Sequence, residues 1–335
     1  MWGNTVGWVI SGILGLGLSF MLYMVASPPS RTDPTGSAKF AIAYKPLALP
    51  AGADAAAAPG TKDCDAGEFY RKAIEDYQVT ARAYERFKTD RMNGSEKDMS
   101  GIAYIVEGRN CRNGTIFAKE LPKIVNYDNS EPPLEALQEI GEAACTFGKL
   151  YMNDKYAAEK SGGKLQPEKA LALWEGTFVL GRHLYDERAC WAEYIVGHGL
   201  MQTAGRNLAD YYKSQNNSER ADKIQTFLED EGAQSTKMIE AFKLVGAIDE
   251  NYAGVYAGDI YKIALSPTAD KMFRAEALKH IGNYRFNSMT RGDQLAAKKV
   301  LKDMVEDNDI PANVKAAANA AHELTIQKHN MIGGS

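Results

Sequence analysis

The sequence predicts an all-α protein, a stack of antiparallel helical hairpins behind one N-terminal transmembrane helix. Three observations predict it. Residues 6–26 are predominantly apolar, and the first thirty positions carry no charged side chain. From Asp65 onward apolar residues recur three and four apart with little strand-like alternation. Short breaks between these periodic segments imply antiparallel helical neighbours.

The first element, Val6 to Ala26, has 21 positions, enough at about 1.5 Å per residue to cross a hydrocarbon core of roughly 30 Å. A cleaved signal peptide fits less well, because a basic n-region is missing and Met24-Val25-Ala26 is a poor cleavage pattern. The anchor is therefore expected over 1–27. Gly3, Gly7, Ser11, Gly15 and Ser19 recur at every fourth position and share one helix face. In lipid such small residues let backbones approach closely, so this face is expected to pack against a second copy or another membrane protein.

Residues 28–63 are rich in alanine and proline, including Pro28-Pro29 and Ala55-Ala56-Ala57-Ala58-Pro59-Gly60, and read as a linker. A helical-repeat domain is expected over 64–265 and a further pair of hairpins over 266–330. Helices are expected at 66–88, 97–107, 133–157, 167–187, 188–213, 217–247, 250–264, 269–284, 291–306 and 311–327. Pro133, Pro167, Pro267 and Pro311 sit at or near their starts, where the missing amide hydrogen costs nothing. In 170–185, Leu173, Thr177, Leu180 and Leu184 line one face while Trp174, Phe178, Gly181 and Tyr185 line its neighbour. An apolar arc that wide predicts burial on two sides.

A net charge of −4 and the lack of basic runs with interleaved aromatics argue against a nucleic-acid partner. Orientation in the membrane draws opposite arguments. Arg31, Lys39 and Lys45 after the span favour a cytoplasmic domain. The four cysteines Cys64, Cys111, Cys145 and Cys190, without CxxC spacing, suit disulfides in an oxidising compartment or buried thiols. The expectation leans towards an extracytoplasmic, periplasmic domain.

Two segments 41 residues apart are alike: Phe273 to Gly282 and Val314 to Leu324. Each opens with an apolar then a basic residue, places alanine at its fifth position, and follows an aspartate, Asp270 or Asp309. Between them Ala297, Val300, Leu301, Met304 and Val305 form a helical stripe. This C-terminal region resembles HEAT repeats, with His322 where leucine is usual. Leu180-Gly181-Arg182-His183-Leu184-Tyr185 resembles a tetratricopeptide element, its tyrosine one position late. The resemblance implies a right-handed α-solenoid of bacterial TPR/HEAT type acting as a binding scaffold and not as a catalyst.

The residues that could carry chemistry are His183 and Glu187, four apart on one predicted helix, and Glu193 and His198 on the next. They are weak metal-ligand or acid–base candidates, because HExxH is absent and the five-residue spacing of Glu193 and His198 sets them about 140° apart. Asp186, Glu187 and Arg188 read as a solvated helix end, and Glu219 to Glu240 as a solvated outer face. Tyr252, Tyr256 and Tyr261 are candidates for a contact surface. Arg291-Gly292-Asp293 reads as a turn and helix start. Gly12 to Gly17 lies in the span and lacks the strand–turn–helix setting of a phosphate loop, so no cofactor is expected. The sequence thus points to a non-catalytic, membrane-tethered interaction scaffold or accessory subunit; the alternative is a hydrolase or metal-binding enzyme with its site between the central hairpins.

Overall fold

A computed structural model describes residues 40–45, 47–117, 133–160, 162–246, 257–281 and 291–332. No helix among them is long and apolar enough to cross a membrane. The expected span and its face of Gly3, Gly7, Ser11, Gly15 and Ser19 lie outside the described residues, as do Tyr252 and Tyr256.

The protein is mostly helical, as its periodicity predicts. In chain order the elements are α1 (Ala53–Ala56), β1 (Lys62–Asp65), α2 (Ala66–Thr89), α3 (Gly101–Gly108), β2 (Cys111–Asn113), α4 (Leu134–Tyr151), α5 (Asp154–Lys160) and α6 (Pro167–Glu187). There follow α7 (Trp191–Ser214), α8 (Ser218–Gly246), α9 (Ala257–Leu265), α10 (Lys271–His280), α11 (Arg291–Glu306) and α12 (Ala312–Ile332). One expected helix, 133–157, is broken in two. Asn153 accepts the Tyr156 backbone N–H at 3.1 Å and starts α5 afresh, which is what a short amide side chain does at a helix start.

The described chain forms two compact units. The larger comprises Leu47–Thr236 and Asp309–Ala317. Its centre is the α6–α7 hairpin, with α4 and α3 also packed on α6. All eight residues of the wide arc on α6 are buried. The hairpin closes until its backbones touch. A Cβ on Gly181 would lie 2.7 Å from the Gly197 carbonyl oxygen, and one on Gly197 would lie 2.8 Å from the Gly181 oxygen.

A feature that periodicity does not announce lies at the start of this unit. Strands β1 and β2 pair in parallel, and Cys64 is disulfide-bonded to Cys111 across them with a sequence separation of 47. Asp65 then caps α2, accepting the Gly67 N–H at 3.0 Å and the Thr115 N–H at 2.8 Å. Much of the expected 28–63 linker is packed into the fold. Ala53, Ala56 and Ala57 are buried, and Lys62 already belongs to a strand.

Of the described residues, the smaller unit contains 40–45, 237–246, 257–281, 291–308 and 318–332. Its core includes Phe40, Phe242, Phe273, Leu278 and Leu301, with the Phe242 and Phe273 rings 5.8 Å apart. Helices α9 and α10 pack together. Asp270 caps α10 by accepting the Met272 N–H, and its own N–H donates to the Ala43 carbonyl at 2.8 Å. Of the predicted stripe on α11, Ala297, Leu301 and Met304 are buried and Val300 and Val305 half-buried. Within α8 the chain passes from one unit to the other between Thr236 and Lys237.

Candidate functional site

The four candidate side chains each meet a different partner. His183, on α6 and 7 % exposed, shares a 2.9 Å hydrogen bond between Nδ1 and the Tyr70 hydroxyl of α2. Burial, reinforced by neighbouring Arg182 and opposed by Asp65, pushes its pKa down to about 4. The ring is therefore neutral at physiological pH. Gly114 passes directly over it, and a Cβ there would sit 2.5 Å from the imidazole Cγ.

Glu187 closes that loop from the other side. Its carboxylate accepts the Ile116 and Phe117 backbone N–H groups at 2.6 and 2.9 Å, while Arg71 of α2 donates to the Thr115 and Ile116 carbonyls. Glu193, fully buried, accepts the Ala189 N–H at 2.6 Å, reaching back over the start of α7 in the manner of a capping box. These two carboxylates satisfy main-chain donors that burial would otherwise leave costly. Among the described residues no group of three or more His, Cys, Asp and Glu side chains could hold a metal ion.

His198 is the member with chemical potential. Its Nδ1 lies 2.7 Å from both carboxylate oxygens of Glu231 on α8. Gln202, one turn along α7, donates to the same carboxylate at 2.7 Å and to the Leu228 carbonyl at 2.9 Å. Glu231 is 1 % exposed and the His198 side chain 23 %. A buried carboxylate on one ring nitrogen fixes the imidazole and leaves the other to accept or deliver a proton. The pair is an imidazole held in one orientation by a buried carboxylate. Glu231 lies inside the stretch read as a solvated face. The signal that could have revealed it is its register, since Ile224, Phe227, Leu228, Glu231, Ser235 and Met238 occupy one buried stripe of α8.

The expected solvated end of α6 is likewise corrected, because Arg188 is buried. Its guanidinium donates to the Tyr185 carbonyl at 2.9 Å and, across the chain, to the Leu47 carbonyl at 2.9 Å. The second bond belongs to a set. Gln234 of α8 donates to the Ala48 carbonyl at 3.1 Å and to the Tyr185 hydroxyl at 2.9 Å. Arg220, stacked 3.9 Å from the Tyr212 ring centroid, donates to the Ala55 carbonyl at 2.7 Å. Arg182 of α6 pairs with Asp54 at 2.8 Å. Residues 47–57 thus form a strap in a cradle built from α6, α7 and α8. Gly52 makes the closest approach: at φ +99°, a Cβ there would lie 2.9 Å from the Lys223 carbonyl oxygen. Three of the four donors bind backbone carbonyls, and the buried strap side chains are alanines. The cradle thus holds a segment of small residues, partly extended and partly the short helix α1, mainly by its main-chain carbonyls.

Of the four cysteines, Cys64 and Cys111 form the disulfide and Cys145 and Cys190 are thiols. Cys145 is buried in α4 between Thr177 and Asn207, and burial pushes its thiol up to about 12, so it stays protonated and unreactive. Cys190 precedes α7. Compared with known protein families, curated proteins and solved structures, the chain matches none.

Proposed function

We propose that this chain is a membrane-tethered interaction scaffold, or the accessory subunit of a larger assembly, that works by holding polypeptide segments on a helical surface. The observation that carries this reading is the strap. The α6–α8 surface binds eleven residues of polypeptide, 47–57, mainly through their carbonyls, which is how a surface recognises a peptide and not a small substrate. In this reading the helical hairpins continue as a right-handed solenoid of TPR/HEAT type. Residues 1–27 anchor it from the periplasmic side, and the face of Gly3, Gly7, Ser11, Gly15 and Ser19 packs against a partner helix.

The test is purification of the full chain in mild detergent, with mass measurement and identification of the co-purifying chains. A defined assembly is expected, weakened by Arg220→Ala with Gln234→Ala; a strictly monomeric particle without partners overturns the reading.

A second reading is favoured by the His198–Glu231 pair, which would serve a hydrolase or metal-binding enzyme between the central hairpins. It requires a substrate-borne or water nucleophile, because His183, Glu187 and Glu193 are engaged elsewhere. Loss of a measurable hydrolytic activity on His198→Gln, with the fold intact, would establish it.

A further inference from the structure

We propose that the cradle on α6, α7 and α8 also takes the strap of a second copy, so that two chains exchange their N-terminal arms. This rests on the scaffold reading and names its partner. The cradle is complementary to one segment whose sequence is known, the 47–57 segment of this chain, and every second copy carries it. An exchanged arm keeps all four polar contacts, from Arg182, Arg188, Arg220 and Gln234, together with the buried Ala53, Ala56 and Ala57. The free-energy difference between closed and exchanged forms then comes from the hinge, from association and from the Phe40 and Ala43 contacts of the same arm.

The hinge is short. Ala57 is buried, and a Cβ on Gly60 would lie 2.1 Å from the Cys111 carbonyl oxygen, so the chain is held again at Gly60. Only Ala58 and Pro59, both exposed, separate these points. Proline stiffens the residue before it towards extended backbone, and a short, stiff hinge is the arrangement that invites segment exchange. The disulfide Cys64–Cys111 lies just beyond and fixes the rest of the chain to its own unit. A helix packing face ahead of the arm, as expected for residues 3–19, would bring two arms together and raise their effective concentration.

The Arg182–Asp54 pair supplies the test, because it joins the arm to the cradle and Asp54 is 67 % exposed while Arg182 is half-buried. In Asp54→Arg the arm faces a like charge in its own cradle; in Arg182→Asp it does so with the opposite sign. Mixed after gentle unfolding and refolding in detergent, the two full-length variants regain opposite charges at both cradles only in an arm-exchanged heterodimer. With distinguishable tags and native mass analysis, the ratio of heterodimer to all homodimers should exceed its random value by about five-fold, and high salt should erase the excess. Dimers at the random share would overturn arm exchange and leave a scaffold that associates through another face. The absence of dimers from the mixture and from the wild type would also overturn it. Should circular dichroism show that a charge reversal has not folded, Asp54→Lys with Arg182→Glu puts the same question, and the same ratio decides it.

Discussion

The strap and the α6–α7 hairpin lie in one unit and are held by opposite means. The hairpin is an apolar contact so close that Gly181 and Gly197 meet backbone to backbone. The strap buries little beyond three alanine side chains and is fixed by long polar side chains bonded to its carbonyls, with a disulfide just downstream. The first kind of contact is specified by the residues that make it. The second is specified by residues more than a hundred positions away, on helices formed for other reasons.

Breaking the covalent part of the strap side should have the largest effect. A cross-link with a separation of 47 residues restricts the unfolded chain by about 4 kcal/mol in the loop-entropy description. Replacing Cys64 and Cys111 by serine should lower the denaturant midpoint accordingly, whereas Cys145→Ser removes no cross-link and should fall well short of that loss.

Acid probes the hairpin side through His183. Its folded pKa of about 4 lies below the ordinary value of 6.5, so the unfolded state binds the extra proton. Stability from this residue is therefore intact above pH 6.5 and declines as the pH falls towards 4. The loss approaches about 3 kcal/mol. His183→Asn should flatten that part of the pH–stability profile, measured as a difference from wild type so that carboxylate titrations cancel.

A smaller effect sharpens the hairpin term alone. Gly197→Ala forces a methyl against backbone atoms at 2.8 Å and should cost about 2 kcal/mol. Gly199→Ala, two residues on with nothing within 4 Å, should be neutral or stabilise by about 0.5–1 kcal/mol through helix propensity. A thermal melt of each pair member gives the contrast directly. Smallest of all, Arg220→Ala should remove about 1 kcal/mol. Its visible signature should be faster hydrogen exchange at Ala55 and Ala57, whose amides bond within the strap, with α6 unchanged.

The same contrast explains what could be read from the sequence. Helices α2, α6, α7, α8 and α11 were legible because burial imposes a 3.6-residue period on each, and α11 begins and ends where its stripe and flanking residues place it. The break at Asn153 leaves no mark in the periodicity, which continues across it; only the cap gives it away. The short parallel ladder of β1 and β2 carries too few residues for an alternating pattern. The site was legible only as residue types. His183, Glu187, Glu193 and His198 are buried or half-buried polar groups, and three of their partners, Tyr70, Ile116 and Glu231, come from places that no local spacing connects, whereas Ala189 lies four residues before Glu193. Charge alone suggests exposure for Arg188 and Glu231, yet both serve as buried hydrogen-bonding groups.

The docked strap also changes a length. Read as linker throughout, residues 28–63 would let the folded part wander up to about 125 Å from the anchor at about 3.5 Å per extended residue. With Phe40 and Ala43 buried and residues 47–57 cradled, only 27–39 remain between the end of the expected span and the first buried residue, a leash of at most about 45 Å.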